Sequence, residues 1–213
     1  MNILAVGAHY DDIELGCSGS LINHVKNGDT VWMVVVSDSG YSDPDGRIIR
    51  NSETAKKEGE KVAKMIGARL IGLSYKTFYI PFDEKLTSDL TRIIETNRID
   101  TIYSHWTKDI HRDHQNTAKS VLMAARHIPR FLMYQSNWYD SDQAFHATLY
   151  SDISDVIEQK LEAVRAHQSE IKRTNTVWID YLKNKHRIDG MKTNVAFAEA
   201  FIPVRYLLPE LSC

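Results

Sequence analysis

The sequence predicts an α/β protein: a Rossmann-like three-layer sandwich around a mostly parallel central sheet. Three observations predict it. Short apolar runs alternate with amphipathic segments over the first two thirds of the chain. The run Thr30–Ser37, TVWMVVVS, is apolar and β-branched almost throughout, as suits a strand covered on both faces. Turn chemistry follows it in Asp38–Arg47, DSGYSDPDGR. Such alternation implies βαβ units with right-handed crossovers.

Taken in order, Asn2–Gly7 is a buried strand. Leu15–Asn27 is a helix, with Leu15, Leu21, Ile22 and Val25 at helical spacing and Gly28 as its stop. Thr30–Ser37 is the second strand, and Asp38–Arg47 a surface loop at its carboxyl end. Asn51–Ile66 is a helix with Ala55, Val62, Ala63 and Ile66 on one side, ended by Gly67. Arg69–Leu73 is the third strand, Asp89–Asn97 a helix and Thr101–Ser104 the fourth strand. Asp113–His127 is a helix with Asp113 placed to cap it. Phe131–Gln135 and Thr148–Tyr150 read as strands. Ile153–Ser169 reads as one helix, continued through Trp178–Lys185, and Ala198–Val204 as a late strand. No repeat or interdomain linker interrupts the chain. Residues 1–213 therefore read as one domain: 1–135 form the Rossmann-like core, and 136–213 complete the fold and its pocket.

Composition narrows the function. Of 213 residues, 43% are hydrophobic and 25% charged, with a net charge of −2, which is an ordinary globular balance. No block of Lys and Arg is present, which argues against nucleic acid as the partner. No apolar run approaches the roughly 20 residues that span a bilayer, so no membrane partner is expected. No secretory leader is visible after Met1, and Cys17 and Cys213 form no CxxC pair. A cytoplasmic setting is the simplest expectation.

In the strand order 3-2-1-4, strands one and four are neighbours, and ligands collect in the crevice beyond their carboxyl ends. Strand one runs into AHYDD, residues 8–12, and strand four into SHWTKDIHRDH, residues 104–114. Each motif alone reads as turn formers, a helix cap and solvated histidines. Together at one crevice they offer His9, Asp12 and His114 as a mixed nitrogen and oxygen ligand set. Three protein ligands with a fourth place for water is the pattern of a catalytic zinc site. Such an ion offsets the adjacent charges of Asp11 and Asp12. It also lowers the pKa of bound water far below that of bulk water, towards about 7. Asp11, aimed elsewhere, would take the water's proton. His111 would stabilise an oxyanion as an imidazolium and protonate a leaving amine, with Asp113 orienting that ring.

AHYDD with Gly16, and DIHRDH, resemble the AHPDD…G and HPDH motifs of the PIG-L/LmbE-like zinc N-deacetylases. Arg50 and Glu53 resemble that family's R-x-x-E. KLEAVRAHQSE, residues 160–170, resembles its K-x-x-A-x-x-x-H-x-S-Q segment, and AEAF, residues 198–201, a common late strand. The resemblance implies hydrolysis of the N-acetyl group of a glucosamine-type sugar or its conjugate. It implies one Zn²⁺ per chain on His9, Asp12 and His114, with Asp11 as general base. It implies His111 at the oxyanion, Asp113 behind it, and Arg50 facing the substrate. Tyr10 and Arg112 stand where the family usually has Pro, and Glu170 where it usually has Gln. These departures bear on substrate identity more than on mechanism.

Bland readings stand beside these. Arg50 with Glu53 is the spacing of a surface ion pair. His105 and His167 read as packing or hydrogen-bonding residues, and Asp109 as a second-shell partner to a ligating histidine or a plain turn residue. Trp106, Trp138 and Tyr139 read first as packing, though each can stack on a sugar. Iron, cobalt or manganese can occupy such a ligand set in place of zinc. Two other functions compete: cleavage of a non-sugar N-acyl small molecule, and a non-catalytic sugar- or nucleotide-binding module. Against the latter, the first βα turn lacks G-x-G-x-x-G. A homo-oligomer is compatible with the chain.

Overall fold

The computed structural model describes residues 1–208, so Cys213 lies outside the described residues. A sheet runs through the molecule. Its parallel strands are β1 (Asn2–Gly7), β2 (Thr30–Ser37), β5 (Arg69–Tyr75), β6 (Thr101–His105) and β7 (Arg130–Tyr134). Two more, β8 (Leu149–Asp152) and β9 (Ala198–Tyr206), complete the order β5-β2-β1-β6-β7-β9-β8. β9 runs antiparallel to both of its neighbours. The 3-2-1-4 core expected from the alternation is therefore present, with β1 and β6 adjacent at the switch point.

Both faces of the sheet are buried along its central strands β1, β2 and β6. Ile3, Ala5, Val31, Met33 and Val35 point into one core, and Leu4, Val6, Trp32, Val34 and Val36 into the other. This period-two division is why Thr30–Ser37 reads as continuously apolar. Helices α1 (Asp12–Lys26), α2 (Ser52–Ile66), α5 (Ile157–Arg165) and α7 (Val177–Thr193) supply the first core. Helices α3 (Glu84–Thr96) and α4 (Arg112–Ala124) supply the second. Gly16 lets α1 lie against β7, because a Cβ there would fall 2.1 Å from the Tyr134 ring.

Several boundaries differ from expectation, each for a local reason. α1 begins at Asp12, three residues early, because the acidic pair ends the turn and opens the helix. α3 begins at Glu84 because the Asp83 carboxylate accepts the Leu86 N–H at 2.9 Å. The loop after β2 holds a short hairpin, β3 (Tyr41–Ser42) with β4 (Ile48–Arg50). The helix expected over Ile153–Ser169 is two: α5 ends at Arg165, and α6 (Gln168–Thr174) follows. His167 makes the break, leaving helical geometry at ψ 63° with its ring fully buried. Asp113 does not cap α4. The cap is His111, whose Nδ1 accepts the Asp113 N–H at 3.1 Å.

Candidate active site

The two motifs meet at the carboxyl ends of β1 and β6. His9 and Asp11 occupy the turn after β1, Asp12 opens α1, and His111, Asp113 and His114 lie at the start of α4. The Asp12 carboxylate is central. Its Oδ1 lies 3.2 Å from His114 Nε2 and accepts the Ser136 hydroxyl at 3.1 Å. Its Oδ2 lies 3.3 Å from His9 Nδ1 and accepts the His9 N–H at 2.7 Å. Each imidazole has a second carboxylate behind it: Asp109 is 3.2 Å from His114 Nδ1, and Asp113 is 3.1 Å from His9 Nε2. Asp109 is thus a partner of a candidate ligand and not a plain turn residue.

This arrangement gathers positive charge. Burial disfavours a charged His9 or His114, but the facing carboxylates prevail and push the rings up to about 9 and about 10. Burial likewise opposes ionisation of Asp12, yet His114 and His105 hold it well below the usual carboxylate range. A divalent ion that displaced the two ring protons would leave the total charge unchanged. The nitrogen and oxygen donors of His9, Asp12 and His114 lie within 4.8 Å of one another, so the residues present fit a metal.

The other expected residues fall nearby, with two shifts of role. Asp113 meets His111 only through its N–H; its carboxylate instead accepts the Phe78 N–H at 2.6 Å and faces His9. The Asp113–His111 orienting contact expected from the motif is therefore not made by side chains. With Nδ1 accepting, His111 carries its proton on Nε2. Burial and then the neighbouring His114 and His9 push its pKa down to about 4, so the neutral ring prevails at pH 7. Arg50 is the second shift. It is buried, and it does not pair with Glu53, which is engaged with Lys57 at 3.0 Å on the surface. Its guanidinium donates to Asp11 Oδ2 at 2.7 Å and to Glu58 at 3.4 Å. Nη2 also lies 3.5 Å from His167 Nδ1, and His167 Nε2 lies 3.3 Å from Glu14. Asp11 is thus held apart from the imidazole cluster. Burial raises its pKa to about 7 against the pull of Arg50. Its backbone has φ 141°, a conformation that side-chain-bearing residues rarely adopt.

Sequence reasoning passed over Glu14, Glu58, Ser136 and Phe78. Only the fold brings Glu58 to Arg50. His105, expected to pack, is fully buried; its Nε2 accepts the Ala8 N–H at 3.0 Å, and its ring stacks on His114.

Each departure from the motif pattern has a partner. The Tyr10 N–H, which a proline would lack, donates to Ser39 Oγ at 2.8 Å. The Tyr10 side chain fills a slot where a Cβ at Gly59 would fall 2.3 Å from its ring and one at Gly72 2.6 Å from its hydroxyl. Gly59→Ala should therefore destabilise the fold by ~1–3 kcal/mol through overpacking. Urea unfolding measures this, and the loss should shrink in the Tyr10→Ala background. Arg112 donates to the Phe78 carbonyl, and Glu170 accepts the Tyr41 hydroxyl at 3.1 Å and Arg173 Nε at 2.7 Å.

The fold and the site define a class: a Rossmann-like α/β protein whose switch point carries a buried His/Asp cluster able to hold a metal ion. The sequence model of the family described as PIG-L, GlcNAc-PI de-N-acetylase, matches residues 4–125, and the chain belongs to this family. It is 29% identical over 183 residues to the uncharacterised deacetylase YaiS of Escherichia coli K12, covering 78% of this chain and 90% of that one. The fold matches N,N'-diacetylchitobiose deacetylase of Pyrococcus horikoshii with a TM-score of 0.82. Identity there is 20%, over 95% of this chain and 83% of that one. It also matches the 4-carboxy-2-hydroxymuconate hydratase of Pseudomonas putida, TM-score 0.77 at 16% identity, over 100% and 99% of the two chains. One fold carries both chemistries, so the reaction must be argued from the site.

Proposed function

We propose that this chain is a metal-dependent N-deacetylase. Its substrate is an N-acetylated amino sugar of the N-acetylglucosamine type, or its conjugate, and it releases acetate. One observation carries the reading: a central carboxylate, Asp12, faces two imidazoles that are each backed by a carboxylate, with Asp11 held alongside by Arg50. The family, and the likeness to a chitobiose deacetylase, support the sugar.

His9, Asp12 and His114 would hold one Zn²⁺. When bound there, the ion supplies Lewis acidity towards the acetyl carbonyl and acidifies water. Asp11 takes the proton of the attacking water and returns it to the departing amine. A buried carboxyl with a pKa of about 7 suits both directions. His111, as the neutral ring, donates its Nε2–H to the developing oxyanion. Asp113 fixes His9, and Arg50, which lines the cavity, holds Asp11 and would also face the substrate. Residues 136–213 are taken to complete one domain with 1–135. β9 within the sheet, and Trp138 and Trp178 in the cavity wall, support that reading. No helix among the described residues is long and apolar enough to cross a membrane. A cytoplasmic setting is proposed from the buried free thiol of Cys17.

Elemental analysis of the purified protein, with acetate release from N-acetylated sugars and simple acyl amides, tests the proposal. Zinc near one per chain and acetate from the sugars are expected. Cleavage confined to the amides would move the substrate outside the sugars. His114→Ala should lose zinc affinity by more than the ~10–100-fold that losing a carboxylate behind a ligating histidine costs. An unchanged zinc content in that variant would remove His114 from the ligand set.

A further inference from the structure

We propose that the outer part of the cavity is a subsite for an apolar aromatic group carried by the acetamido sugar. This deepens the reading above and rests on the acetamido group occupying the inner, His/Asp end. The cavity holds about 490 Å³, within the ~300–1,000 Å³ of pockets for drug-sized ligands. Its walls change character outward. The inner end is charged, whereas Phe78, Ile110, Trp138 and Tyr139 line the outer part. These four are 40%, 54%, 36% and 58% exposed, which is apolar surface with nothing yet packed on it.

Several polar groups beside them are already engaged inside the protein. Asn137 donates to Asp109 at 2.9 Å and accepts the Tyr139 N–H at 3.1 Å. Tyr41 and Arg173 both donate to Glu170, and the Thr174 hydroxyl to the Glu170 carbonyl at 2.9 Å. The outer part therefore offers mainly ring and aliphatic surface, with the Tyr139 hydroxyl and the Trp138 indole N–H as its polar tips. A polar occupant would be desolvated there with little return.

Two of the rings are preset. Phe78 has φ 68°, its N–H is fastened to Asp113, and its carbonyl to Arg112. Its ring lies 5.9 Å from His111 and edge-on to Tyr41 at 5.6 Å. Trp138 is braced edge-on by Tyr181 at 5.1 Å, and the Tyr181 hydroxyl donates to the Asn137 carbonyl at 3.2 Å. Rings held in place before binding lose little freedom when a flat group covers them. Arg112, one of the departures from the family pattern, thereby shapes the wall that chooses the substrate.

The test compares the benzyl and methyl glycosides of N-acetylglucosamine, both anomers of each, by calorimetric titration into zinc-loaded Asp11→Asn protein. The benzyl glycoside of one anomer should bind ~10-fold more tightly than its methyl counterpart, the increment of one stacked ring. Trp138→Ala and, separately, Phe78→Ala should collapse that ratio towards one. Equal affinities, binding of neither glycoside, or a ratio untouched by both variants would overturn the subsite. Acetate release by the wild type is measured in parallel. Benzyl preference without acetate release would sink the deacetylase reading and leave the subsite standing; release with equal affinities would do the reverse.

Discussion

Asp11→Asn should keep its metal and lose about 10²–10⁴-fold in turnover, the contribution expected of a positioned acid–base group. The substitution preserves shape and leaves an amide oxygen for Arg50, which now donates to Asp11 at 2.7 Å. It removes the negative charge and with it the capacity to accept a proton, while Glu58 and Glu170 remain to face Arg50. The three candidate ligands are untouched, so zinc content should match the wild type. The site invests in this residue: its backbone at φ 141° and its buried charge are both unfavourable, the former by ~1–3 kcal/mol. Ordinary turnover in the variant would remove Asp11 as the proton carrier, and loss of zinc would make it a ligand.

Lys160→Met should cost ~3–5 kcal/mol, because it strands a buried charge. Lys160 and Glu199 are both fully buried and 2.7 Å apart. The ammonium also donates to the Glu14 and Leu15 carbonyls at 2.9 and 3.0 Å. Glu199 in turn accepts the Gly19 and Ser20 N–H groups, each at 2.8 Å, and the Ser20 hydroxyl. This cluster ties α5 and β9 to α1, the helix that presents Asp12. For a chain of this size the loss corresponds to a fall in melting temperature on the order of 10 °C. The double variant Lys160→Met, Glu199→Gln should recover much of it, since no charge is then left alone. A single variant that melts like the wild type would show that the pair contributes nothing net.

The parallel core was legible because its signal is local. Thr30–Ser37 must be apolar on both faces, and its sequence says so without reference to any other segment. The convergence of AHYDD and DIHRDH was legible too, since crossover handedness fixes which strand ends meet. Partner choice was not. Asp113 stands two residues from His111 in sequence but is bonded to His9, 104 positions earlier. Spacing alone does not tell which imidazole a carboxylate will face. The break at His167 was equally silent, because Ala166, His167 and Gln168 are all compatible with a helix. The break arises only because Arg50 and Glu14 lie where the ring is buried. The partners of Arg50 were silent for the same reason: Glu58 and His167 come to it through tertiary packing.

The position of β9 constrains how the chain can be made. The strand latest in sequence lies between β7 and β8, so β7 keeps one open edge until residues 198–206 have left the ribosome. Phe131, Leu132, Met133 and Tyr134 are the residues on that edge, an apolar run with unpaired backbone groups. During synthesis this is the point at which a nascent chain is most open to pairing with another. Slower translation over the last third of the message would lengthen that exposure, and a chaperone that shields β7 would shorten it.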